Sequence, residues 1–106
     1  VPTIQAEPFP DLILGDNDEQ SAEVSIILTA LSALSSANYS LFHNQPFKGG
    51  TITRSFGRPA QQQHALQLEM TKRHYLEDDE ITYNTKRASN MQRTLKKVFE
   101  KLLVLL

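Results

Sequence analysis

Apolar residues fall into a few periodic stretches separated by polar or glycine-bearing loops. Residues 11–14, closed by Gly15, form a short apolar run that predicts a buried strand. From Ser21 to Ala37, the residues Val24, Ile27, Leu28, Leu31 and Leu34 recur at helical spacing and predict one buried helix face. The acidic loop before it, Asp16–Gln20, suits the positive end of a helix. Residues 39–43 (YSLFH) read as a second strand, so strand, helix and strand form a βαβ-like unit. Residues 51–54 are β-branched and alternating and predict a third strand. Residues 64–69 alternate, with Leu66 and Leu68 on one face and Gln67 and Glu69 on the other, and predict a fourth.

Thr71–Leu76 suits a helical turn and Glu77–Glu80 an acidic loop. A last helix is expected over about 83–105, with Met91, Leu95, Val98, Phe99, Leu102 and Leu106 on one stripe. Its LLVLL end is apolar all round and predicts burial against a further surface. Three prolines in Val1–Pro10 predict extended chain. The fold class read from this pattern is α/β with a mixed sheet, in a single domain over residues 1–106.

Charge sharpens the picture. Residues 1–47 hold six acids and no base, whereas residues 48–106 hold eleven bases and six acids, a local net of +5. That excess suits a small anionic ligand better than a nucleic-acid groove, which needs a stronger basic footprint. No apolar run reaches the roughly 18 residues that cross a membrane. The first ten residues lack a basic flank and an apolar core, so no export signal is read there and a cytoplasmic location is expected. They read like chain already in progress. With no cysteine there is no disulfide and no thiolate chemistry.

Candidate chemistry concentrates in Asn44–Glu69. Gly49-Gly50 permits close backbone approach, and Lys48 and Arg54 flank it with a mobile point charge and a planar fork suited to carboxylates. Asn44 adds both a donor and an acceptor, and Arg58 is a third nearby cation. Glu69, on a strand with an apolar opposite face, is a candidate general base or acid; the alternative is a salt-bridged surface strand glutamate. His43, His64 and His74 lack the spacing of a zinc helix, so no metal-ligand set is read from them.

The ordered series Leu14-Gly15, Asn44-Gln45-Pro46-Phe47-Lys48-Gly49-Gly50, Ile52-Thr53-Arg54, Gly57-Arg58-Pro59 and His64-Ala65-Leu66-Gln67-Leu68-Glu69, followed by Tyr75, resembles the C-terminal half of the N-formylglutamate amidohydrolase family. The resemblance spans nearly the whole chain. It implies part of a three-layer α/β/α domain similar to that of the zinc carboxypeptidases. It also implies hydrolysis of N-formyl-L-glutamate to formate and L-glutamate, late in histidine breakdown. Glu69 would be the general base and proton shuttle, and Asn44, Lys48 and Arg54 would match positions that hold the substrate's carboxylates. The family is zinc-dependent, but its zinc ligands lie in the N-terminal half, whose motifs this chain lacks. No zinc is therefore expected on this chain alone, which reads as incomplete for catalysis. The other reading is a non-catalytic truncated relative that binds a small dicarboxylate or self-associates through the surface bared by the missing half.

Overall fold

The computed structural model describes residues 10–106, so the extended stretch expected over residues 1–9 lies outside the described residues. Three strands form one mixed sheet in the order β2-β1-β3. The central strand β1, Leu12–Gly15, is parallel to β2, Leu41–His43, with Leu12, Ile13 and Leu14 beside Leu41, Phe42 and His43. It is antiparallel to β3, Gln67–Met70, where Leu14 meets Leu68 and Ile13 meets Glu69. Helix α1, Val24–Ser35, connects β1 to β2 and completes the expected βαβ unit.

Side chains alternate across the sheet, and this alternation separates the core from the candidate site. Leu12, Leu14, Leu68 and Met70 pack with α1 and with the last helix, α3, Thr85–Val104. Ile13 and its register partners Phe42 and Glu69 share the opposite face. Helix α3 starts at Asn84, whose side chain accepts the Arg87 N–H at 2.8 Å and satisfies one free donor of the first turn. Among the described residues, no helix is long and apolar enough to cross a membrane.

Five expectations change. The predicted inward face of α1 is rotated: Val24 and Leu28 are 56% and 59% exposed, while Ile26, Ile27, Ala30, Ala33 and Leu34 are buried. The small side chains of Ala30 and Ala33 let α1 approach α3 closely. On α3, Phe99 likewise faces outward, as does Leu106 beyond its end, and Ala88 and Thr94 take inward places beside Met91 and Val98. Residues 51–54 are not a strand but belong to helix α2, Thr51–Phe56. The Thr53 hydroxyl accepts from the Gly50 N–H at 3.1 Å and donates to the Gly50 carbonyl at 3.0 Å, which winds this β-branched run into a turn. Residues 64–66 stay outside β3, because Ala65 hydrogen-bonds Ser21 through its N–H and its carbonyl. The second strand starts at Leu41 rather than Tyr39, although the Ser40 carbonyl still accepts the Leu12 N–H at 3.0 Å.

Beyond the end of β1, Asp16 is wholly buried and ties its own loop to the end of β2. Its Oδ1 accepts from Asn44 Nδ2 at 2.7 Å and from the Glu19 N–H at 2.7 Å, and its Oδ2 pairs with His43 Nε2. Its own N–H donates to Asn44 Oδ1 at 2.9 Å. Burial pushes its carboxyl up, but the hydrogen bonds from Asn44, His43 and the Glu19 N–H outweigh that and hold it below the ordinary 3.8. Asn44 sits at a φ of 58°, a left-handed conformation that asparagine tolerates, and the chain turns there into the loop 44–50.

That loop is seated on Gly15. A Cβ added at Gly15 would lie 2.6 Å from the Lys48 carbonyl carbon and 2.8 Å from the Gly49 nitrogen, so only glycine admits the loop backbone. The Asn17 N–H donates to the Lys48 carbonyl at 2.8 Å and fixes the register. Gly49, at a φ of 125°, makes the turn into α2.

Two measurements test this arrangement. Gly15→Ala should lower unfolding free energy by about 1–3 kcal/mol, the usual cost of overpacking, because the blocking atoms are backbone. Urea denaturation of the variant checks it, and an unchanged midpoint would contradict the seating. Asp11 and Asp16 both have carboxyls lowered from 3.8, so the stability they add is present above 3.8 and is lost as pH falls through their lower native values. Urea midpoints from pH 7 to pH 2 should fall in that acid range, with a shallower fall in Asp16→Asn; a midpoint rising toward low pH would contradict it.

Candidate active site

The face of the sheet away from the core carries Glu69. Its Oε1 accepts a long hydrogen bond, 3.4 Å, from Gln67 Nε2 two residues earlier on the same face. Its Oε2 is buried and has no partner among the described residues. A buried carboxylate oxygen without a donor costs about 1–3 kcal/mol or more, so its presence calls for a reason.

The glycine loop lies on the same face. Gly15 pairs with Gln67, and the Lys48 and Gly49 backbone lies where a Gly15 side chain would project. A Cβ on Gly50 would lie 3.4 Å from Gln67 Oε1, so Gln67 stands between the loop and Glu69. Backbone from Lys48 to Gly50, the Gln67 amide and the Glu69 carboxylate therefore form one continuous wall.

The other sequence-predicted residues stand at different places around this wall. Asn44 holds the loop's start, with both polar atoms of its amide on Asp16. Lys48 is exposed and reaches Asp18 at 3.1 Å. Arg54 is exposed in the last turn of α2. Arg58 begins the turn that leads to β3, its N–H donating to the Gln63 carbonyl at 2.7 Å.

The three histidines have local partners. His43 pairs with Asp16, His64 Nδ1 accepts the Glu23 N–H at 3.1 Å before α1, and His74 Nε2 pairs with Asp11 at 2.9 Å. They do not converge: among the described residues, no three His, Asp or Glu side chains form a metal-binding group. The residues described thus do not fit a complete zinc cage.

Sequence reading missed Asp16, His43 and Gln67. Asp16 was one of several acids in a loop before a helix, and its partners lie 27 and 28 positions away. The alternation that pointed to Glu69 also set Gln67 on its face, which was the available signal.

Comparison with known proteins places the chain and its fold. A family model described as N-formylglutamate amidohydrolase matches residues 1–76. An N-formylglutamate deformylase of Pseudomonas putida is 34% identical over 97% of this chain and 39% of its own length. One from Pseudomonas aeruginosa is 31% identical over 97% of this chain and 40% of its own length. The crystal structure of N-formylglutamate amidohydrolase from Ralstonia eutropha JMP134 superposes with a TM-score of 0.75 at 27% identity, covering 95% of this chain and 35% of that one. The chain thus spans about 40% of the length of the curated relatives it matches, and it belongs to the N-formylglutamate amidohydrolase family.

Proposed function

We propose that this chain is the C-terminal part of an N-formylglutamate amidohydrolase, which cleaves N-formyl-L-glutamate with water into formate and L-glutamate. Glu69 is its proton-transfer group, and Asn44, Lys48 and Arg54 are its contacts to the substrate's carboxylates. The observation that carries the reading is the Glu69 Oε2 atom, buried and without a partner among the described residues, on the same face as the Lys48–Gly50 backbone. An acceptor held out of water without a donor is poised for a proton that arrives during a reaction.

The chemistry asks two things of a carboxylate. Water adds to the formyl carbon while losing a proton to Glu69. The carbon–nitrogen bond then breaks as that proton passes to the leaving nitrogen. Gln67, on Oε1, keeps one oxygen occupied and leaves Oε2 to handle the proton. The substrate's two carboxylates call for cations. Lys48 and Arg54 are exposed and flank the loop, and Arg54 offers the planar fork that matches a carboxylate. Asn44 Nδ2 donates to Asp16 and also lies 3.1 Å from His43 Nε2, so its amide would reach substrate from within that cluster.

Zinc dependence, and kinship with the zinc carboxypeptidase fold, belong to this proposal as implications of the family. The ligands for that metal lie in the family's N-terminal half, so no step is assigned to it here and this chain alone is proposed to be inactive.

The test is a chimera joining this chain to the remaining part of a full-length relative. Glu69→Gln should lower turnover about 10²–10⁴-fold, the usual weight of general acid–base catalysis, with KM little changed. Near-wild-type turnover would remove Glu69 from the mechanism. Arg54→Ala should raise KM about tenfold for the dianionic substrate, a loss of about 1.4 kcal/mol. Equal losses on an uncharged formamide would count against a clamp.

A further inference from the structure

At the opposite end of β1 from the glycine loop is a cavity of about 380 Å³, lined by Asp11, Tyr39, Thr71, Arg73, His74, Arg87 and Asn90. It is separate from the wall around Glu69: Glu69 lies beside Ile13, whereas the Thr71 N–H meets the Asp11 carbonyl beyond the start of the strand. Its volume falls in the range of small-ligand sites.

Among the described residues that line it, two arginines outnumber one acid, Asp11. Asp11 Oδ2 accepts the Ser40 N–H at 2.8 Å and Oδ1 pairs with His74 Nε2 at 2.9 Å. Burial raises its carboxyl, but the hydrogen bonds from Ser40 and His74 outweigh that and hold it below the ordinary range. His74 is packed edge-on by the Tyr39 ring, with centroids 4.9 Å apart, which fixes one wall.

Two arginines from different elements meet here. Arg73, in the turn after β3, and Arg87, in the first turns of α3, converge on one oxygen, Asp78 Oδ1, at 3.4 and 3.0 Å. Arg87 also donates to the Leu76 carbonyl at 2.7 Å, which locks its guanidinium in place. Asp78 does not line the cavity and is 70% exposed, so its carboxylate is an exchangeable partner. Surface ion pairs of this kind contribute about 0–1 kcal/mol. A carboxylate oxygen between two guanidiniums is what a bound oxyanion looks like.

We propose that Arg73 and Arg87 form a second anion site, for a small oxyanion such as a phosphate or an organic carboxylate, and that Asp78 is its built-in competitor. The ligand takes the place of the Asp78 oxygen between the guanidiniums, at the edge of the cavity that both arginines line. The site is independent of the proposed amidohydrolase chemistry.

The experiment is a titration of the ¹⁵N-labelled 106-residue chain at constant ionic strength, with inorganic phosphate in one arm and glutarate in the other, followed by amide shifts. Saturable shifts clustered at Arg73, His74, Arg87 and Asn90 are expected in at least one arm, and which arm saturates identifies the anion. Arg73→Ala should weaken binding about fivefold or more, and Asp78→Asn should tighten it about threefold or more. Arg73 is exposed with a single long ion pair, so its truncation leaves the fold intact, and the unperturbed amides of β1 check that. Arg58→Ala, a cation elsewhere on the surface, should leave the affinity unchanged. Linear, scattered shifts in both arms would overturn the proposal, as would equal affinity in wild type, Arg73→Ala and Asp78→Asn.

Discussion

A carboxylate removed from water must find its donors inside the protein, and Asp16 finds them in two separate segments. Asn44 and His43 reach it from the end of β2, and the Glu19 N–H from its own loop. Breaking one arm would leave a buried charge short of a partner, which is costly. The consequence reaches past stability. Asn44 is the residue at which the chain leaves the sheet for the glycine loop, so the bonds that satisfy Asp16 also aim that loop. Gly15 then admits its backbone, and the loop comes to rest on the face that carries Glu69. A network on the closed side of the strand ends thus determines what stands on the open side.

The two faces of the sheet have different tasks. One is filled by leucines and methionines against α1 and α3, and is a conventional core. The other has Phe42 half exposed and a glutamate oxygen with no donor among the described residues. A strand parallel to its neighbour is ordinarily covered on both sides. The chain spans about 40% of its curated relatives' length, which fits a face whose natural cover is supplied by further structure. The unpartnered oxygen fits the same account, since its proposed chemistry needs groups that the described residues do not bring together.

Much of this architecture could be read from residue order alone. The apolar run before Gly15, the helical spacing over residues 24–34 and the alternation through Gln67–Glu69 each marked a real element. The errors share a cause. Thr51-Ile52-Thr53 has strand propensity, yet the Thr53 hydroxyl bonds Gly50 and closes a helical turn. Val24 and Leu28 are more hydrophobic than Ala30 and Ala33, yet the alanines face inward because the helices come close. In both, contacts made in three dimensions outweighed local preference. For the site, spacing and composition pointed to Glu69 and to the loop, but not to Asp16. Its role consists of hydrogen bonds to residues 27 and 28 positions away, which no local pattern encodes.

The claim on which the rest turns is that the strand ends and the glycine loop form one hydrogen-bonded unit. Amide hydrogen exchange of the chain tests it directly. The N–H groups of Asp16, Asn17 and Asn44 donate to Asn44 Oδ1, the Lys48 carbonyl and the Leu14 carbonyl. They should exchange as slowly as those of the central strand, in the same opening event. Exchange of these three at the rate of the exposed Asp18 amide, with β1 still protected, would show the loop to be unattached and would contradict the account.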